Sequence, residues 1–413
     1  MPVRLAVKYP RAVAAPRARR PYVLALAVWA AWLFAVLAVV VEGVRSGAIA
    51  DPINNWAHFG GSLWPLFIWD FTWYRQVAVF GYAHGHIGPE YAFFPLWPLV
   101  IRTTGTVPDW IGPFVVVIPA SAAAFAGVVA SNPGERSWRS AAVLACWPAS
   151  FLLMMGYPDV VALAAAAWAA ALALRGHPWL AGVLGGVAAF ARPPGFLIAL
   201  PLALVVRSSL AGRIFAAAVP VGVAAGVQIF LWIRSDDPLA FVHAQQLPYF
   251  ARNGPGRLKH WPGHLVDALQ THSLLIAVGA VLGIAVVFAV YRRFGRWPAI
   301  GAAYVAIAAG LLLGAQATQT RIESAVLGVT VPVLALLWSW GGRYRPWALF
   351  ATAVIALSVF SGSVTSFPRQ ALFAFPLFWA VADGPRPLRH PLVALGAIAA
   401  NVAYALTLAK YAP

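Results

Sequence analysis

Charge is scarce in this 413-residue chain: Asp, Glu, Lys and Arg make up 10% of it, against roughly 25% in a soluble globular domain. With 62% hydrophobic residues, that excludes a soluble protein with an ordinary polar surface and points to an all-α polytopic membrane protein. Cysteine is nearly absent. Cys146 lies alone in an apolar run, so it forms no intrachain disulfide and no cysteine-based metal site, and it reads as a small core residue. Lysine is almost missing too. Lys8, Lys259 and Lys410 stand against 26 arginines, a bias that, with heavy Ala and Gly use, suggests a GC-rich bacterial genome. No G-x-x-x-x-G-K-[ST] phosphate loop is present, which leaves ATP-driven transport without a motif. G-x-S-x-G, internal repeats and low-complexity linkers are absent as well.

What is there is a succession of apolar runs. Runs and breakers predict about 13 spans in a single membrane domain over 1–413: 22–41, 111–130, 138–155, 159–174, 179–191, 195–206, 213–233, 273–290, 298–315, 325–340, 347–361, 369–383 and 390–409. Several fall short of the ~20 residues a bilayer requires, so 11 to 13 crossings fit the pattern equally well. The first run exceeds a signal-peptide core of about 7–15 residues and reads as a retained helix, with cleavage near Ala48 and Ala50 as the alternative.

With the basic arm 1–21 in the cytoplasm and spans alternating, the inside segments hold 18 basic residues and two acids, Glu135 and Asp383. The outside segments hold 11 basic and ten acidic residues. Nearly all of the net charge of +17 thus falls on one face, as the positive-inside rule demands. Membrane insertion accounts for the high pI, and no nucleic-acid partner is needed. The two long loops, 42–110 and 234–272, both lie outside, which places the functional apparatus on the extracytoplasmic face of a bacterial plasma membrane.

The first outer loop contains FIWDFTWYRQVAVFGYAHGHIGPEYAFFPLWPLVIR over residues 67–102. Phe71, Tyr74, Val77, Ala78 and Tyr82 recur at helical spacing, and Asp70 reads as the N-cap of a helix lying in the membrane interface. A carboxylate fixed there can also serve as a general base toward an acceptor hydroxyl. Sugar transfer from a lipid phosphate needs such a base, and it needs cations for the leaving phosphate, a task suited to the planar arginine fork.

The pattern WD-x-x-W-Y … GY … E-x-AFFPL-x-P, carried by Trp69, Asp70, Trp73, Tyr74, Gly81, Tyr82, Glu90, Ala92, Phe93, Phe94, Pro95 and Pro98, resembles the first-loop signature of the PIG-V-like mannosyltransferases of the GT-C superfamily. SFPRQALFAFPLF at 366–378 resembles a late segment of that family, with Gln370 where an aromatic is usual. AFARPPGFLIALPL at 189–202 resembles its Arg–Pro–x–Gly break. The resemblance implies a GT-C-type fold and an inverting mechanism with Asp70 as the catalytic residue. It also implies polyprenyl-phosphate mannose as donor, a glycolipid or other hydroxyl as acceptor, and no cofactor. A glycolipid flippase, or the same fold moving a sugar such as arabinofuranose, are the alternatives.

Other candidates carry two readings each. Glu90 is a second acid near the sugar or a residue that orders the loop. His84 and His86 form H-G-H four residues before Glu90, a loose metal spacing that reads better as solvated or substrate-contacting histidines, so no metal is expected. Arg369, Arg192 and Arg321 fall on the face of Asp70 and can cradle a phosphate, or they pair with acids, for example Arg321 with Glu323 and Arg192 with Asp159. His243, with Gln245, Gln246, His260 and Trp261 of the second loop, can meet sugar hydroxyls or solvate the loop. Asp159, in GYPD, reads as a helix N-cap, and Gly185-Gly186 as a close helix contact.

Overall fold

A computed structural model describes residues 19–49, 61–105, 111–134, 137–207, 209–247, 326, 330, 333–360, 367–384, 397–398 and 401. Among these residues all regular structure is helical and no strand occurs. The helices are α1 (Arg20–Arg45), α2 (Asp70–Phe80), α3 (Leu96–Thr104), α4 (Ile111–Ser131), α5 (Arg139–Cys146), α6 (Asp159–Leu174), α7 (Pro178–Ala191), α8 (Ala199–Val205), α9 (Leu210–Ser235), α10 (Ala240–Ala244), α11 (Arg345–Phe360), α12 (Phe367–Leu372) and α13 (Pro376–Asp383). Three of them, α1, α4 and α9, are long and apolar enough to cross a membrane. At 26 residues, α1 and α9 each extend about 39 Å, more than the ~30 Å hydrocarbon core.

The centre of the bundle is α6, DVVALAAAAWAAALAL, buried on nearly every side, as expected of a helix that is apolar all round. Its alanines admit close neighbours. A Cβ on Gly127 of α4 would stand 2.9 Å from Trp168 Cδ1, and Trp168 Nε1 donates to the Ala123 carbonyl at 2.9 Å. On the other flank α7 runs parallel to α9. Gly182 meets Phe215, Gly185 meets Pro220, and Gly186 meets Val219 and Val223, the close packing expected of the glycine pair.

Two polar ends result. At one, Arg175 after α6 donates to Tyr22 Oη (2.9 Å) and to the Ala130 carbonyl (3.3 Å), gathering the start of α1 with the ends of α4 and α6. The start of α6 lies about 24 Å away by helix rise, together with the end of α7.

The bounds of α1, α4, α6, α7, α9 and α11 match predicted apolar runs to within a few residues, and of these α1, α4 and α9 have spanning length. Three predicted spans are interrupted. The run 138–155 ends its helix at Cys146, because Pro148 forces Trp147 into extended backbone, and a 3₁₀ turn, Ser150–Met154, follows. The run 195–206 starts as a 3₁₀ turn, Pro193–Ile198, before α8. The run 369–383 divides into α12 and α13, with Pro376 opening the second. The predicted spans 273–290 and 298–315, and most of 390–409, lie outside the described residues, whereas the second half of 325–340 is helical over 333–339.

The α12–α13 hairpin is held by aromatic packing. Trp347 of α11 meets Trp379 edge-on at 5.5 Å, and Phe375 sits between Phe350 and Trp379 at 5.6 and 5.4 Å. Trp379 Nε1 donates to the Val128 carbonyl (3.2 Å) and Trp147 Nε1 to the Pro368 carbonyl (3.3 Å). Buried indoles that both pack and satisfy their N–H are strong anchors, and these fix the residue after Pro368, Arg369.

Candidate functional site

The first loop is fastened to the turn that begins α6. Gly156 N donates to the Leu66 carbonyl at 2.9 Å, Tyr157 Oη to the Ile68 carbonyl at 2.8 Å, and Trp97 Nε1 to the Gly156 carbonyl at 2.5 Å. Only glycine fits position 156, where a Cβ would lie 2.7 Å from Phe71 Cδ2. These contacts set the start of α2 beside the start of α6. Trp69 caps α2 with φ 55° and ψ −113°, a backbone strain of order 1–3 kcal/mol for a non-glycine residue. Its carbonyl accepts from Thr72 N (3.0 Å) and Thr72 Oγ1 (2.5 Å).

Asp70 is therefore the first residue of α2, not its N-cap. Its carboxylate points away from its own backbone to Arg369 Nη1. Asp159 is corrected in the same way. Pro158 holds the cap position, and the Asp159 carboxylate, freed from capping, is the hub of a charged cluster. Oδ1 accepts from Arg369 Nε at 3.0 Å; Oδ2 accepts from Arg369 Nη2 at 2.7 Å and from Arg192 Nη1 at 2.8 Å. The Arg369–Asp159 contact is the two-pronged, charge-assisted kind, and Tyr157 places its ring 4.5 Å below the same guanidinium. The pairing of Arg192 with Asp159, one of the two sequence readings, is what the structure shows.

Local chemistry explains the convergence. Both acids start helices, where the macrodipole favours negative charge, and Arg192 follows the C-terminus of α7, where it favours a cation. The R-P-P-G stretch turns the chain straight back along α7. A Cβ at Gly195 would lie 2.0 Å from the Ala188 carbonyl oxygen, so the turn that presents Arg192 requires a glycine there.

The four charges cancel, and they are unequally exposed. Side-chain exposure is 29% for Asp70, 18% for Arg192, 12% for Asp159 and 11% for Arg369. Asp70 is thus the acid a polar molecule reaches first. Among the described residues Arg192 commits a single N–H to a side chain, which leaves most of its fork for an anion. Tyr74, buried one turn along α2, lies within electrostatic reach of all four groups. Burial raises its hydroxyl above the ordinary phenol range, more than Arg192 and Arg369 pull it down, so it remains a proton-bearing donor. A crevice of about 20 Å³ borders Asp159, Arg192, Arg369 and Gln370. The larger hollow, about 750 Å³, is an open apolar groove between α7 and α9 beginning at Trp179 and Ala211, toward the other end of the bundle.

The remaining candidates sit elsewhere. Trp73 stacks on Phe93 at 6.2 Å. Glu90 folds back over Gly88 and accepts from Ala83 N at 3.4 Å, ordering the 81–92 loop, where Tyr82 Oη also donates to the Phe93 carbonyl at 2.7 Å. His84 meets Arg234 at the end of α9, and Gly85 N donates to the Arg234 carbonyl at 3.3 Å. His86 Nδ1 lies 3.2 Å from the His84 carbonyl. His243 pairs with Asp237 at 2.5 Å. The described residues contain no cluster of three or more metal-ligating side chains. Arg321 and Glu323, His260 and Trp261 lie outside the described residues. The structure thus unites Asp70, Arg192 and Arg369, adds Asp159 and Tyr157, and leaves Glu90 and the histidines at the α9 end of the loop.

Comparison with protein-family models and with curated proteins returns no match for this chain.

Proposed function

We propose that this chain is an inverting glycosyltransferase that takes mannose from a polyprenyl-phosphate donor and passes it to a hydroxyl acceptor at the extracytoplasmic face. The observation that carries the reading is the ion-pair chain Asp70–Arg369–Asp159–Arg192. It joins α2, α6, α7 and α12 at one end of the bundle and leaves the Asp70 carboxylate its most exposed member. The residues of the PIG-V-like resemblance supply the sugar and the carrier.

The chemistry follows from charge. Asp70 takes the proton of the acceptor hydroxyl as that oxygen bonds to the anomeric carbon. The bond from that carbon to the phosphate oxygen breaks on the opposite side. A β-linked donor then gives an α-mannoside, and polyprenyl phosphate leaves with the electron pair. Arg192 and Arg369 neutralise the developing phosphate charge, and fixed cations in a partly desolvated site stabilise it more than water does. Tyr74 offers a neutral hydroxyl donor on the same side.

The test supplies purified protein with radiolabelled polyprenyl-phosphate mannose and native membranes. Label should enter a lipid-, glycan- or protein-bound product with inverted anomeric configuration, and a nucleotide sugar should not replace the donor. Movement of the labelled lipid between leaflets without transfer would instead favour a flippase.

A further inference from the structure

We infer that Asp159 is a positioning residue that keeps Arg369 from closing onto Asp70. The inference rests on the transfer reading above and adds to it a role that neither helix capping nor general ion pairing supplies.

A guanidinium beside a lone carboxylate favours a two-pronged contact. Arg369 does not make one with Asp70. Its Nε and Nη2 are engaged by the two oxygens of Asp159, and only Nη1 reaches Asp70. With its Nε/Nη2 edge held by Asp159, Arg369 presents only Nη1 to Asp70, which leaves Asp70 with a single contact, oriented but still open to an acceptor hydroxyl. Asp159 Oδ2 also holds Arg192 Nη1, so two cations are drawn to one oxygen, with the free donors of Arg192 facing any incoming anion. Asp159 can do this because it does not cap its own helix. Pro158 takes the cap position, and Tyr157, one residue earlier, supports the Arg369 guanidinium from below.

Removing Asp159 releases the guanidinium edge it holds, so that Arg369 turns to meet Asp70 with two N–H groups. The base then becomes a two-pronged ion pair, its ionised form is held more strongly, and proton abstraction slows. The groups facing Asp70 are Arg369 from α12, Asp159 and Tyr157 at the start of α6, Arg192 after α7 and Tyr74 one turn along α2. Of these, Asp159→Asn removes the charge and one acceptor oxygen from the contacts to Arg369 and Arg192 and leaves Tyr157 and Tyr74 in place.

The experiment measures transfer from labelled polyprenyl-phosphate mannose by the full chain in vesicles across pH, for wild type, Asp159→Asn and Asp159→Glu, with thermal unfolding in parallel. The pH dependence of kcat/KM reports the ionising groups of the free protein. Asp159→Asn should lower kcat/KM by about 100-fold, the scale of a displaced general base, and should move the acid limb of the profile to lower pH. Asp159→Glu retains two acceptor oxygens and should recover about tenfold of the loss, with a smaller shift of the limb. If Asp159→Asn fails to fold, the shift in Asp159→Glu alone carries the test. A fall in rate with an unmoved acid limb in both variants would reduce Asp159 to a structural ion-pair partner and overturn the inference while the transferase reading stands. Absence of transfer by the wild type would remove that reading and the inference together.

Discussion

Arg369→Ala is the substitution with the largest consequence for this cluster. The Arg369 side chain is 11% exposed and donates three hydrogen bonds to two carboxylates. Its loss leaves Asp70 without its partner and Asp159 with Arg192 alone, and the cluster changes from neutral to one net negative charge. Stripping one partner from a buried ion pair costs about 3–5 kcal/mol, because the remaining charge has already lost its water. Asp70→Asn removes the charge, though not the acceptor oxygen, from a single contact to a more exposed side chain and should cost about 1 kcal/mol or less. Arg369→Lys keeps the charge but meets the acids as a point charge without a fork, so it should fall between the two. Equilibrium unfolding in mixed micelles, with the three variants beside wild type, reads the order directly. An Arg369→Ala protein as stable as wild type, or an Asp70→Asn protein as damaged as Arg369→Ala, would refute the reasoning.

Three further outcomes are expected. Gly195→Ala should destabilise by about 1–3 kcal/mol through overpacking against Ala188, whereas Gly222→Ala, where a Cβ meets nothing within 4 Å, should be neutral or slightly stabilising; thermal melts in detergent compare the two. Tyr74→Phe should leave stability within about 1 kcal/mol of wild type, yet slow transfer, since its hydroxyl serves the charged site in the proposed reaction. Trp147→Phe should lose the bond to the Pro368 carbonyl and about 1 kcal/mol of stability, with a lowered transfer rate because the Arg369 hairpin is released.

Much of this arrangement is legible in the sequence, and the gaps have physical causes. The helix 159–174 reads directly because an alanine-rich apolar run lies between Pro158 and Arg175. Three residues of the cluster, Asp70, Arg192 and Arg369, stand out as charges at the edges of apolar runs on the same predicted face. Asp159 does not stand out as a hub, because an acid after proline at a helix start has an ordinary explanation as a cap. Its pairing with Arg192, 33 residues away, is one of the sequence readings, but only the fold shows that the same carboxylate also holds Arg369, 210 residues away. The signal available in the sequence is GYPD itself, with an aromatic and an acid flanking the proline opposite three outer arginines. Hydropathy also joins 138–155 and 369–383 into single spans, because an apolar run has the same composition whether its helix continues or breaks. Pro148 and Pro376 mark the breaks. The histidines are the converse case. They are close to Asp70 in the chain, but Gly81 ends α2 and the following loop carries them to the end of α9.

The account depends most on Asp70 acting as the base. Single-turnover transfer from labelled polyprenyl-phosphate mannose, comparing wild type with Asp70→Asn at matched folding, tests that claim directly. The amide preserves shape and can still meet Arg369 through its carbonyl oxygen, but it cannot accept the acceptor's proton, so transfer should fall by about 100-fold or more while donor binding persists. An Asp70→Asn protein that transfers sugar at the wild-type rate would contradict the account.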